Sequence, residues 1–216
     1  MRGSLGNLDQ QRIINKFSTC SEMEALIGIT GKDFVIMAAD RNAVRSIVVM
    51  KSSENKFRDL TPTCTLCYSG EPGSSTSLAE LLQARIRLHE LCHGTPLTVH
   101  ATAHYTRRMV ADELRTPSAY QTNLLVGGME AAGSKLFWID HMGTLTEVPF
   151  AAHGYAAYFV LALMDRHYRA GMSVEEGLGL LKLCLEELKT RFIMNMPQFT
   201  VKVIWATGIE ESLLAV

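Results

Sequence analysis

The chain has 216 residues, 47% of them hydrophobic and 20% charged, with a formal net charge of −1. That length can bury one large core, the balanced charge removes any polyelectrolyte argument for nucleic-acid binding, and no apolar run approaches the roughly 20 residues that a membrane span needs. The longest, Ala156 to Met164, has the length of a buried helix, residues 1–22 lack the apolar stretch of a secretory signal, and the five scattered cysteines are expected as reduced thiols in a cytosolic or nuclear setting.

Residues 1–22 are polar and mixed, with a helical hint at Leu8 to Phe17, and read as an extension ahead of one domain spanning 23–216. From Met23 the pattern becomes that of a hairpin. Leu26, Ile27 and Ile29 lead to a turn at Gly31-Lys32-Asp33, and an apolar run from Phe34 to Ala39 stops at Asp40-Arg41. Short strands are expected at Ile47 to Met50 and at Thr63 to Ser69. Gly70 to Ser74 then turns into a helix over Thr76 to His93, with Ser74 or Ser75 as N-cap. Its stripe is Leu78, Leu82, Ile86 and His89, flanked by Leu81, Leu88 and Cys92. After Gly94-Thr95-Pro96 a second helix runs from Thr98 to Leu114 and should lie beside the first. Strands follow at Asn123 to Gly128, Lys135 to Asp140 and Thr144 to Val148. Gly154 to Arg166 is apolar nearly all round and is expected to be a buried helix. Ser173 with Glu176 makes a capping box for a helix carrying Val174, Leu178, Leu181, Leu185, Leu188 and Phe192. A last strand, Phe199 to Trp205, leaves a short tail. Helices in pairs between groups of strands fit two sheets packed face to face with helices outside.

Four stretches together resemble proteasome β-type subunits, members of the N-terminal-nucleophile hydrolases. They are the hairpin ending Ala38-Ala39-Asp40-Arg41, the Tyr68-Ser69-Gly70 turn into a helix, Pro149 to Tyr155 (PFAAHGY), and Met164-Asp165-Arg166 before the Ser173 helix. The likeness runs from Met23 to about Trp205. The starts Met23 to Ile29 and the segment Arg115 to Tyr120 point within the family to the non-catalytic subunits at the fourth position of the eukaryotic β ring. The resemblance implies an α+β fold, a four-layer αββα sandwich with two antiparallel sheets between helix pairs. It also implies a place in a 20S core particle that degrades tagged proteins in an ATP- and ubiquitin-dependent way, in cytoplasm and nucleus. The implied partners are neighbouring β subunits, the α ring, the opposite β ring and, indirectly, a regulatory particle, with no nucleic acid, membrane or cofactor.

Active members use a Thr freed at the mature N-terminus, whose amine is the base for its own hydroxyl, tuned by an Asp and a Lys. Carried over by the family spacing, the Asp is Asp40, the Lys is Lys56 and the nucleophile falls at Glu24. Glutamate has no hydroxyl, and here it is neither terminal nor preceded by Gly. The assisting Ser falls at His153, and the Asp-x-x-Ser pair at Phe192 and Asn195. The resemblance therefore implies an inactive subunit, with Glu24, Asp40 and Lys56 as vestigial positions and Asp40–Lys56 as a folding ion pair.

Other motifs compete. His89-Glu90-Leu91-Cys92-His93 is a literal H-E-x-x-H, which on a helix sets two imidazoles one turn apart, with Glu113 as a conceivable third zinc ligand. A zinc hydrolase using His89, Glu90 and His93, or a threonine protease processed at an unexpected site, is the alternative. Against zinc, both histidines lie on the apolar stripe and His93 sits in a last turn, where the helix dipole favours histidine. Cys64-Thr65-Leu66-Cys67 in a strand would point its thiols to opposite faces. His100 and His104 are one turn apart on a helix surface. Gly127-Gly128 is expected to mark a close backbone approach.

Overall fold

The structure is a computed structural model that describes residues 23–45 and 48–216. The extension 1–22, with its helical hint, lies outside the described residues, as does Ile47. The opening hairpin forms as expected. Strand β1 (Leu26–Thr30) pairs antiparallel with β2 (Phe34–Asp40) from Leu26 opposite Ala39 to Thr30 opposite Val35. The Gly31 N–H donates to the Phe34 carbonyl at 2.9 Å and closes the turn.

After β2 come β3 (Ala43–Arg45) and β4 (Val48–Lys51), a separate two-stranded ribbon. Next are β5 (Phe57–Thr61) and β6 (Cys64–Gly70), then helices α1 (Pro72–His93) and α2 (Val99–Glu113). β7 (Thr122–Glu130), β8 (Gly133–Ile139), β9 (Leu145–Glu147) and β10 (Phe150–His153) follow. Helices α3 (Ala156–His167) and α4 (Val174–Arg191) precede β11 (Gln198–Trp205) and β12 (Gly208–Ala215). One sheet has the order β10-β1-β2-β11-β12 and the other β5-β6-β7-β8-β9, with every pairing antiparallel. This is the α+β class.

The continuous apolar run of β2 follows from its place. Phe34, Ile36 and Ala38 point into a cluster with α3 and α4, including Val160, Leu181 and Leu185. Val35, Met37 and Ala39 point the other way, onto Cys67, Leu125 and Leu136 of the second sheet. With both faces covered, alternation has no polar side to serve. On the second sheet Leu66, Tyr68 and Val126 meet Leu78, Leu82 and Val110 of α1 and α2. Both helices thus cover one face, and the Arg85 guanidinium donates to the Tyr105 hydroxyl at 3.3 Å between them. Gly127 and Gly128 sit where no Cβ fits. At Gly127 it would lie 2.5 Å from Met37 Sδ, and at Gly128 2.5 Å from the Thr63 carbonyl oxygen. The close approach expected of this pair is real. Cys64 and Cys67 likewise fall into different clusters, on opposite faces of β6.

Several expectations are corrected. Helix α1 begins at Pro72, not Thr76. Its N-cap is Glu71, whose carboxylate accepts from the Ser74 N–H at 2.7 Å, and proline opens the first turn. Leu88, Cys92 and His93 are exposed rather than part of the stripe. The segment expected to be a tail is β12, an edge strand whose residues are largely exposed. β5 and β10, too short for a clear period, were not expected as strands. Helix α3 is not buried all round: only Ala156, Val160 and Met164 are buried, and Tyr158 is 79% exposed. The α4 capping box is present in both directions, Ser173 N–H to Glu176 Oε2 at 2.8 Å and Glu176 N–H to Ser173 Oγ at 3.3 Å. Of its stripe, Leu181, Leu185 and Leu188 are buried, while Phe192 packs edge-on against Phe159.

Candidate functional site

Glu24, Asp40 and Lys56 come together at one end of the sheet pair. Glu24 lies two residues before the first residue of β1, Asp40 ends β2 and Lys56 precedes β5. All three are at least 95% buried, at 5%, 1% and 4% exposure. The Lys56 ammonium donates to both Asp40 oxygens at 2.9 Å and lies 2.9 Å from Glu24 Oε1. The remaining acceptor capacity is filled by backbone. Asp40 Oδ1 accepts from the Ala25 N–H at 2.9 Å and Oδ2 from the Asn42 N–H at 3.0 Å, while Glu24 Oε2 accepts from the Gly70 N–H at 2.8 Å. Lys56 is placed by its own backbone, since its carbonyl accepts from the Tyr68 N–H across the β5–β6 ribbon at 3.0 Å.

One ammonium shared by two carboxylates leaves the group one positive charge short. Burial pushes the Glu24 carboxyl above its ordinary range, and the Lys56 charge offsets only part of that. For Lys56, burial alone would lower the pKa, but Asp40 and Glu24 outweigh it and hold the ammonium above its usual value. Lys56 is therefore a fixed cation and no base. Both Glu24 oxygens are engaged, its nitrogen is in the peptide bond from Met23, and none of the three side chains carries a hydroxyl or thiol. A cavity of about 130 Å³ opens beside the triad, between Glu24, Lys56, Ala43, Tyr68 and Gly70.

The remaining positions do not complete a catalytic set. His153 stacks on Trp138, with ring centroids 4.8 Å apart, and its Nε2–H donates to the Leu124 carbonyl at 3.0 Å. Burial pushes its pKa down to about 4, so the ring is neutral at physiological pH. Phe192 belongs to the α3–α4 packing. Asn195 reaches the neighbourhood through its carbonyl, which accepts from Asn42 Nδ2 at 3.0 Å. Ala25, Asn42 and Gly70 are the contributors that sequence reasoning missed. The Asp40-x-Asn42 spacing is a local turn signal; nothing local announces Gly70, 46 residues from its partner.

The histidine motif does not assemble into a hydrolytic site. His93 is exposed and its Nδ1 bonds to the His89 carbonyl at 2.9 Å. The conceived third ligand, Glu113, closes the far end of the 15-residue α2, about 20 Å along the helix from its start. There its Oε2 accepts from the Thr116 hydroxyl at 2.9 Å. Among the described residues no three His, Cys, Asp or Glu side chains are grouped to hold a metal ion. Cys64 and Cys67 are buried free thiols whose pKa values burial drives up.

Comparison with known proteins agrees with this geometry. The profile of the family described as "Proteasome subunit" matches residues 23–204. A Neurospora crassa protein named "Probable proteasome subunit beta type-4" is 40% identical over 189 residues, 87% of this chain and 93% of its own length. The Saccharomyces cerevisiae "Proteasome subunit beta type-4" is 37% identical over 191 residues, 88% of this chain and 96% of its own. The Arabidopsis thaliana "Proteasome subunit beta type-2-B" is 38% identical over 190 residues, 88% of this chain and 95% of its own.

Proposed function

From the premise that the chain belongs to the proteasome subunit family, as a β-type member of the core particle, we propose that it cleaves no peptide bond itself and serves the multisubunit assembly as a structural element. The observation that carries this reading is Glu24. At the position of the family's nucleophile stands a buried carboxylate with both oxygens bound, to Lys56 and to the Gly70 N–H. An N-terminal nucleophile needs a hydroxyl or thiol beside a free amine, and neither is present there. Asp40 and Lys56 remain because a buried carboxylate and ammonium satisfy each other, and removing Lys56 would leave two buried carboxylates uncompensated.

The finer reading follows from the same premise. Residues 23–216 form one β-type domain, a four-layer αββα sandwich of the N-terminal-nucleophile hydrolase type. Three hydrophobic clusters support it, one between the sheets and one under each helix pair. The partners are other β subunits of its ring, the α ring and the opposite β ring, in cytoplasm and nucleus. Large apolar side chains that stand in solvent are available for such contacts, Leu91 at 82% exposure and Ile193 at 87%. A zinc-hydrolase reading is not favoured, because Glu113 and the His89–His93 pair lie apart.

The test uses the purified particle. Glu24→Gln in this chain should leave peptidase rates of the particle unchanged, and intact-mass analysis should find no processing to a new N-terminal Thr. A chain that begins with Thr and is covalently labelled by an electrophile selective for N-terminal threonine overturns the proposal.

A further inference from the structure

Two histidine pairs lie outside the site described above, His89/His93 on α1 and His100/His104 on α2. In each the rings are one helical turn apart, with centroids 4.1 Å and 4.3 Å from each other. Two imidazoles at i and i+4 can direct one nitrogen each at a common ion, and imidazole suits copper, nickel and zinc. The pairs differ in what surrounds them.

In the first pair the His93 Nδ1–H donates to the His89 carbonyl at 2.9 Å. That is the backbone bond that fixes the tautomer of metal-ligating histidines and leaves Nε2 as the ligand nitrogen. The His89 Nδ1 is buried and has no hydrogen-bond partner among the described residues, so its Nε2 is the nitrogen left to face a ligand. The pair closes α1, and the Gly94 N–H returns to the Glu90 carbonyl at 2.8 Å in a left-handed cap. The negative end of the helix dipole favours a cation there. His93 is exposed, so an ion can reach the pair. The second pair sits in the first two turns of α2, at the positive end of its dipole. Among the described residues no bond to backbone fixes a tautomer in it, and the His100 ring is held edge-on against Phe137 at 5.8 Å.

We propose that His89 and His93 form a two-nitrogen clamp for a divalent late transition ion, preferring Cu(II) over Ni(II) and Zn(II) in line with the general affinity order. With no third protein ligand among the described residues, water completes the coordination. The clamp is a binding site and supplies no hydrolysis. It stands independently of the triad and of the reading built on Glu24.

The test is titration of the full-length chain with Cu(II), followed by electron paramagnetic resonance, with circular dichroism as a fold control. One saturable site with two equatorial nitrogens is expected. His93→Asn should lower its affinity by at least about tenfold, as large as the loss when a ligand's supporting contact is removed. His104→Asn and Cys92→Ser should each change it less than about twofold, within ordinary error for a residue that does not bind the ion. Absence of a saturable site, a signal from sulfur ligation lost in Cys92→Ser, or a site lost in His104→Asn while His93→Asn keeps it, each overturns the proposal.

Discussion

Glu24 and His153 are buried titratable groups whose effects on stability run in opposite directions with pH. The Glu24 pKa is raised in the fold, chiefly by burial. Its neutral form is therefore the one the fold prefers, and its contribution is present below about 4.5 and lost as pH rises through the folded value. Glu24→Gln keeps an acceptor for the Gly70 N–H and removes that loss. The variant should melt no lower than the parent at neutral pH, and the two melting curves should converge below pH 4.5. His153 is lowered to about 4 by burial, so its contribution is present above 6.5 and lost as pH falls toward 4. His153→Gln should lose less stability over that window in a pH series of thermal melts. Asp40 is different in kind, because its two oxygens together accept from the Lys56 ammonium and from the Ala25 and Asn42 N–H groups. Asp40→Asn turns one of those acceptors into a donor and leaves buried donors unmet, at a cost of about 1–3 kcal/mol. It should lower the yield of folded or assembled chain while the peptidase activity of each assembled particle stays intact. Loss of one cleavage specificity without loss of assembly would instead mean that this chain shapes a neighbour's pocket.

At the scale of elements, α4 is the part whose reading from periodicity carried over best. Leu181 and Leu185 lie against Ile36 and Val201 of the first sheet within one cluster. Truncating either to Ala should cost about 2–5 kcal/mol, measured by denaturant unfolding. Ser173→Ala removes the cap that holds the Glu176 N–H and should cost about 1 kcal/mol. Helix α3 shows the limit of the same reasoning. Its sequence is apolar all round, yet only one face meets α4 and the sheet, because a helix outside a sheet has one face to bury. β12 shows the converse limit. As an edge strand it needs backbone pairing with β11, from Gln198 opposite Ala215 to Trp205 opposite Gly208, and its apolar residues, Ile209 and Leu213 to Ala215, do not alternate in the way that announces a strand.

For the whole molecule, the exposed faces are where assembly enters. Tyr158 on α3 and Ile193 beyond α4 make no part of the three clusters and stand in solvent. Replacing both with Lys should leave the circular dichroism of the chain unchanged and reduce its incorporation into the core particle, read on native gels. Normal incorporation would place the assembly contacts elsewhere.

The amino-acid sequence by itself determined the opening hairpin and the capping box of α4, because each rests on contacts between near neighbours, and it marked β11 by apolar pattern alone, since that strand's partner β2 is distant in the chain. Resemblance added Glu24 and Lys56 as positions. Only the tertiary structure decided what those positions are. The Gly70 N–H that occupies Glu24 comes from the end of β6, and the ammonium between the two carboxylates from the start of β5. It also decided that the second apolar face of β2 looks onto another sheet, and that His93 lies in solvent while Glu113 is a helix length away. Those outcomes depend on how sheets and helices stack, and stacking is set by the whole apolar surface at once.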